Sequence, residues 1–136
     1  MAACIFCDII NGKLPCYLIY EDDNHIVILD RYPIDIGHSL IITKKPYEKL
    51  TDMSSQEVAE LFSKIPKIAN AIIKATNADA FSIAQNNGKA AKQIIPHVHV
   101  HIIPRYNSIG TLWLKRKILK DNELDELAQK IRNCIE

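Results

Sequence analysis

The period of hydrophobic positions changes twice along this chain. "YLIYE", "HIVILD" and "SLIIT" at 17 to 21, 25 to 30 and 39 to 43 are short β-branched or aromatic runs, separated by turn-prone Asp22, Asp23 and Asn24 and by the segment from Pro33 to Gly37. They read as three strands of a meander. From Ser54 the period becomes helical: Val58, Leu61, Phe62, Ile65, Ile68, Ala69, Ile72 and Ile73 recur at that spacing, and Ser54 with Glu57 forms a capping box. The pattern predicts one long helix, kinked at Pro66 because a proline has no amide to bond back to Phe62. "FSIAQN" at 81 to 86 returns to strand, a Gly/Lys/Ala loop follows at 87 to 92, and "PHVHVHIIPR" at 96 to 105 makes a fifth strand. Beyond an irregular stretch at 108 to 117, "DNELDELAQKIRNCIE" closes the chain as a short amphipathic helix with Leu124, Leu127, Ala128 and Ile131 inward. Short loops between the early strands favour antiparallel pairing, so the expected class is an α+β sheet with helix on one face. With 136 residues and no repeat or linker, one domain over 1–136 is expected.

The fifth strand carries the chemistry. Three of the five histidines, His97, His99 and His101, alternate with Val98, Val100 and Ile102. On a strand that alternation turns the imidazoles to one face and the apolar side chains to the other. A lone strand histidine is usually structural, but a row of three is hard to explain as packing, since each neutral ring must find a donor and an acceptor. A single metal shared by all three is excluded by reach: at ~3.3 Å rise per residue the outer Cα atoms stand roughly 13 Å apart. The three therefore divide labour, and His99, flanked by an imidazole on each side, is the candidate for the reactive group.

Charge and composition narrow the partners. With 17 Lys plus Arg against 16 Asp plus Glu, no global field recruits nucleic acid or an anionic membrane. No apolar run approaches the ~20 residues of a membrane span, and "MAACIFCDII" lacks the basic start of a signal peptide, so a cytoplasmic protein is expected. "NNGKAAK" lacks the earlier spaced glycine and the following Ser or Thr of a phosphate-binding Walker loop. Cys4, Cys7, Cys16 and Cys134 form no disulfide framework; Cys4 and Cys7, with two residues between them, read as half of a zinc site or a redox pair, against a plain alternative of reduced small residues near a terminus.

With the triad strand preceded by "AQNNGKAAKQ" and followed by "IIPR", the chain resembles the histidine triad (HIT) family of nucleotide-binding hydrolases and transferases. The resemblance covers nearly the whole chain, through "CIFCDIINGKLP", "LDRYPIDIGHSLIITKK" and "KIPKIANAI", and looks like the Hint-type branch. It implies a HIT-like fold, a five-stranded antiparallel sheet with one long helix and a short C-terminal helix, paired as a homodimer whose sheets join side by side. It also implies an enzyme that binds purine nucleotides of the AMP or GMP type and hydrolyses nucleoside 5'-phosphoramidates. In such an enzyme His99 attacks the α-phosphorus and is nucleotidylated before water releases the monophosphate. A neutral imidazole is a good nucleophile near pH 7 when its other nitrogen is held protonated. The resemblance gives that orienting role to the carbonyl of His97, and gives His101 the phosphate or the leaving-group proton.

By the same resemblance Asn86 and Gln93 contact the phosphate or leaving group, Asp30 accepts both ribose hydroxyls, and Phe6, Ile9, Ile10, Ile28, Leu29 and Arg31 line the base pocket. Read from the residues alone, the two amides equally structure their loop, Asp30 caps a turn before Pro33, and most of the pocket set is plain core. The zinc site implied joins Cys4 and Cys7 to His38 of "GHSL" and to His97, as a structural ion with no catalytic metal required. His25, at a strand start, is most simply structural. Position 92 departs from the family, with lysine where glycine is usual; a glycine there lets backbone approach phosphate, whereas Lys92 either supplies charge to a polyphosphate or obstructs the cleft. Two other readings stand beside the phosphoramidase: cleavage of dinucleoside polyphosphates, as in the Fhit branch, and a nucleotide- or zinc-binding regulatory module with little turnover.

Overall fold

A computed structural model describes residues 4–107 and 116–136. Trp113 and most of the irregular stretch at 108 to 117 lie outside the described residues. In chain order the elements are α1 (Ile5–Ile10), β1 (Leu18–Glu21), β2 (His25–Leu29), β3 (Ser39–Thr43), α2 (Ser55–Ser63), α3 (Ile65–Thr76), β4 (Ala80–Ala84), β5 (His99–Arg105) and α4 (Asp121–Cys134), with short 3-10 turns at Leu50–Asp52 and Lys89–Ala91. All five strands pair antiparallel in the order β1-β2-β3-β5-β4. The α+β class and the meander are as the hydrophobic pattern predicts. Strand β5, last in sequence, inserts between β3 and β4, so the histidines occupy the middle of the sheet.

Burial on both faces explains why β2, β3 and β5 are buried along their whole length. Val27, Leu29, Ile41, Val100 and Ile102 turn to one face and meet Ile68 and Ile72 of α3 and Leu124 and Ile131 of α4. Ile26, Ile28, Leu40 and Ile42 alternate to the other face and pack with Phe6 of α1. Each such side chain contributes about 1.5–3 kcal/mol on leaving water. The second cover, α1, is absent from the reading by hydrophobic period. Its signal is short: Phe6, Ile9 and Ile10 at helical spacing, and a cysteine in place of the usual N-cap residues. Cys4 Sγ accepts from the Cys7 amide at 3.2 Å and so closes the first turn.

One long kinked helix was expected from 54 to 76, but the structure has two. The capping box forms as predicted, with the Glu57 amide on Ser54 Oγ at 3.1 Å and the Ser54 amide on Glu57 Oε1 at 2.9 Å. Lys64 then ends α2, because Pro66 has no amide for Phe62 and its ring crowds the carbonyl of that residue. Proline is tolerated in the first turn of α3, where amides are unpaired anyway. The triad strand also begins later than predicted. His97 and Val98 precede the ladder of β5, with the His97 amide on the Ile95 carbonyl at 2.8 Å and the Val98 amide on the Tyr47 carbonyl at 2.8 Å. Among the described residues no helix is long and apolar enough to cross a membrane.

Gly37 fixes the approach to β3. It has φ of +97°, and a Cβ there would stand 2.9 Å from both Pro104 Cγ and Thr76 Cγ2. Backbone conformation and steric contact therefore both require glycine at the position before His38. Gly37→Ala is expected to destabilise the fold by roughly 2–5 kcal/mol in urea melts. Gly12→Ala, at φ of +76° with open space around it, serves as control and is expected to lose about 1 kcal/mol; equal losses at the two sites would show that the contacts around Gly37 are not decisive.

Candidate active site

Four imidazoles lie buried where β3 and β5 run side by side, and backbone groups settle where each proton sits. The Ile34 amide donates to His38 Nδ1 at 3.0 Å, so His38 carries its proton on Nε2. That N–H donates to His101 Nδ1 at 2.8 Å, which leaves the His101 proton on Nε2. His99 donates from Nδ1 to the His97 carbonyl at 2.7 Å, which leaves its Nε2 as a bare lone pair. His97 donates from Nε2 to the Thr43 carbonyl at 2.6 Å, which leaves its Nδ1 bare. The alternation that puts His99 and His101 on one face brings their rings to 4.9 Å. Phe6 sets its edge against His99 at 4.9 Å and against His97 at 5.8 Å, so α1 holds the row in place.

Burial keeps these rings neutral. It holds His99 below the ordinary imidazole value, with the His97 carbonyl opposing the shift. His101 is pulled down to about 4 by burial first and then by His99 and Arg116. His38 falls to about 2, again from burial, with His101 and Arg116 adding to it. At neutral pH the site therefore offers one bare nucleophilic nitrogen on His99 beside one N–H donor on His101.

These two rings border a cleft of about 1050 Å³ on the α1 face of the sheet. Phe6, Ile9, Ile28, Leu29, Asp30, Arg31, Asn86 and Gln93 all line it, and so do Tyr17, Lys92 and Arg116. Ile10 does not; it packs into the apolar cluster around Phe6, because the last turn of α1 points it at the sheet. Gln93 lines the cleft with its amide already committed: Oε1 accepts from the Gly88 amide at 2.6 Å and Nε2 donates to the Glu48 carbonyl at 2.7 Å. Its observed contacts are those of a loop staple. The Asn86 side-chain amide makes no hydrogen bond among the described residues and faces the cleft. Asp30 is engaged at both oxygens, Oδ1 accepting from the Tyr32 amide at 2.9 Å as a turn cap and Oδ2 pairing with Arg116 at 2.9 Å. Arg31 lies at the exposed rim, 2.6 Å from the Tyr17 hydroxyl and 3.0 Å from Asp121. Arg116 was missed by the sequence reading, since it stands some 80 residues from the carboxylate it meets and nothing local marks it.

The cysteine pair meets one histidine rather than two. Cys4 Sγ lies 3.3 Å and Cys7 Sγ 3.6 Å from His97 Nδ1, the nitrogen left bare by the Thr43 carbonyl. His38 does not join them, which corrects the expected ligand set: its Nδ1 is occupied by the Ile34 amide and its Nε2–H by His101. The same protonation pattern argues against a metal in the second cluster of Asp30, His38 and His101. Burial and the neighbouring Cys4 push the Cys7 thiol up to about 11. Two thiols and a bare imidazole nitrogen within one ion's reach make a donor set that fits zinc. His25 is structural, paired to Asp22 at 3.1 Å. A smaller hollow of about 520 Å³, lined by His25, Lys44, Tyr47 and Glu57 among others, contains none of the triad.

Comparison with known proteins agrees with this geometry. The HIT domain family model matches residues 11–108. The chain is 44% identical over 133 residues to the Adenylylsulfatase HINT3 of Arabidopsis thaliana, an alignment covering 97% of this chain and 67% of that protein. It is 32% identical over 136 residues to the Adenosine 5'-monophosphoramidase hnt1 of Schizosaccharomyces pombe, covering 98% of each. A Zn-bound histidine triad family protein from Mycobacterium smegmatis superposes with a TM-score of 0.86 at 36% identity, over 97% of this chain and 92% of that one.

The depressed His38 and His101 values set the acid limit of stability. Each folded-state value lies below the ordinary 6.5, so the unfolded chain binds more protons as pH falls below that value. Their contribution is complete above about pH 6.5 and is lost as pH falls toward the folded values. Stability measured by denaturant melts is expected to drop between pH 7 and pH 5, with roughly 2 kcal/mol of that from His101 alone, and His101→Gln is expected to flatten the slope. An unchanged slope in that variant would show that His101 is not held neutral by burial.

Proposed function

Because the chain belongs to the HIT domain family, we propose that it is a purine nucleotide hydrolase acting on nucleoside 5'-phosphoramidates and related derivatives at the α-phosphorus, through a nucleotidyl-His99 intermediate. The observation that carries this reading is the bare Nε2 of His99 in the cleft, its ring locked by the His97 carbonyl at 2.7 Å. The similarity to an adenosine monophosphoramidase and to an adenylylsulfatase supports the substrate class. The apolar wall of Phe6, Ile9 and Ile28 receives the base. Asp30 takes the ribose hydroxyls with the lone pairs left open beside the Tyr32 amide on Oδ1 and Arg116 on Oδ2, so the ion pair with Arg116 is kept.

His99 Nε2 then forms a bond to phosphorus while the bond to the leaving group breaks, and the leaving group departs with the electron pair. For an amine that pair must take up a proton from water in the cleft, while the His101 Nε2–H, oriented by the His38 Nε2–H at 2.8 Å, hydrogen-bonds the departing nitrogen. The cation formed on His99 is shared with the His97 carbonyl. Water attacks the phosphorus next, the bond from phosphorus to His99 breaks with its electron pair returning to Nε2, and the proton shed by water passes to solvent as the monophosphate is freed. Catalysis is positioning plus charge stabilisation.

AMP release from adenosine 5'-phosphoramidate is the test. Wild type is expected to turn over, and a folded His99→Ala variant to lose about 10⁴-fold or more, with base-quenched nucleotidyl-protein present only in wild type. Faster AMP release from a dinucleoside tetraphosphate would favour the polyphosphate alternative. Tight AMP binding with no turnover would move the assignment to a binding module.

Cys4, Cys7 and His97 would hold a structural zinc that neutralises both thiolates and ties α1 to the start of β5, with water as the fourth ligand. The Zn-bound neighbour supports this reading. Strand β4 lies at the sheet edge with Phe81 and Ile83 39% and 46% exposed, a free ladder that a second copy would extend into a homodimer. Native mass spectrometry is expected to give two chains with one zinc each, and the zinc is expected to disappear in Cys4→Ser with Cys7→Ser. Apo protein with reduced thiols, or a monomer at micromolar concentration, would remove the corresponding half of the proposal.

A further inference from the structure

Lys92 is one of two non-glycine residues with positive φ among the described residues, at φ +67° and ψ +29°. The other, Asn77, is a helix C-cap, where asparagine commonly adopts this conformation. Lys92 likewise caps the C-terminus of its own short turn, Lys89–Ala91, but a lysine lacks the short amide with which asparagine tolerates the left-handed region, which costs a residue with a Cβ about 1–2 kcal/mol. The loop around it is over-determined: the Lys92 amide bonds the Lys89 carbonyl at 3.0 Å, the Gln93 amide bonds the Gly88 carbonyl at 3.2 Å, and the Gln93 side chain ties Gly88 to Glu48. Strain held this firmly points from the conformation to a role for the side chain.

Lys92 lines the cleft that holds His99 and His101. The other two cleft cations are neutralised, Arg31 by Asp121 at 3.0 Å and Arg116 by Asp30 at 2.9 Å. Lys92 makes no ion pair among the described residues. The cleft's carboxylates other than Asp30, namely Asp121 and Asp125, belong to α4, whereas Lys92 belongs to the loop leading into the triad.

We propose that Lys92 is a specificity-determining residue that binds an anionic leaving group, so that the enzyme favours mixed anhydrides such as a nucleoside 5'-phosphosulfate over phosphoramidates. This rests on the hydrolase reading given above. The chemistry differs at the leaving group alone. When His99 Nε2 bonds to phosphorus, the P–O bond to sulfate breaks and the electron pair leaves on a sulfate oxygen that is a stable anion and needs no proton. An amine must leave protonated, hydrogen-bonded by His101, and carries no negative charge for Lys92 to meet. An ammonium on the lining of a cleft whose other cations are paired therefore stabilises the first departure and not the second.

The experiment compares kcat/KM for adenosine 5'-phosphosulfate with kcat/KM for adenosine 5'-phosphoramidate in wild type, Lys92→Gln, Lys92→Gly and Lys92→Arg. The sulfate-to-amide ratio is expected to fall about tenfold in the Gln and Gly variants, to recover in Arg, and to decline with added salt only where the cation is present. Gly removes the backbone strain as well as the charge, so a matching loss in Gln and Gly assigns the effect to charge. A ratio unchanged in both variants, with wild type active, overturns the role of Lys92. Wild type inactive on both substrates instead defeats the hydrolase reading, and the role of Lys92 falls with it.

Discussion

Every feature of the site depends on backbone groups that decide which nitrogen of each buried histidine carries the proton. An imidazole free to exchange tautomers presents a nucleophile only part of the time. Here the Ile34 amide, the His97 carbonyl and the Thr43 carbonyl each fix one ring, and the His38 to His101 hydrogen bond passes the first decision on to a second ring. Backbone polar groups do this with little freedom to drift, since their own positions are set by the sheet and by the turn before β3. The consequence is a division of labour along one strand: a donor set facing the cysteines at His97, a bare nitrogen at His99, a donor at His101.

The fold supplies those backbone groups through one topological choice, the insertion of β5 between β3 and β4. Leu40 pairs with His101 in that register, which sets His38, two residues earlier, diagonal to His101 on the same face. Gly37 permits the tight approach, packed as it is against Pro104 of β5 and Thr76 of α3. The two apolar faces then serve different ends. Helices α3 and α4 bury the valine and isoleucine face and give stability. Helix α1 covers only part of the opposite face, leaving the cleft between itself, the sheet and α4.

Much of this was legible because periodicity is a local property. The five strands, the capping box at Ser54, the inward face of α4 and the meaning of the HVHVH row all follow from spacing within a dozen residues. What was not legible depends on long-range contacts. Nothing near His38 in sequence says that it will donate to His101 rather than ligate a metal beside Cys4. Asp30 and Arg116 meet across the cleft, and Gln93 spends its amide on Gly88 and on the distant Glu48. Helix α1 was missed for a different reason: six residues give too short a window for a period, and its N-cap is a thiol whose ligand-like spacing drew the reading toward metal chemistry alone. The departure at position 92 was visible as an odd lysine, but its backbone strain was not.

That strain and the burial of the imidazoles express one trade. Holding four histidines neutral inside the protein forfeits the hydration of their charged forms and ties stability to pH. In return the cleft has no permanent cation next to the reacting phosphorus, since His99 and His101 are neutral and Arg116 is bound to Asp30. A cleft built this way can accept a neutral leaving group by hydrogen bonding, but has little with which to hold an anionic one. A charge brought in by a stapled loop adds that capacity without raising the charge at the nucleophile, and leaves the protonation pattern of the triad intact. The protonation pattern thus belongs to the sheet, whereas the Lys92 charge belongs to the loop before β5, which can change without disturbing the ladder.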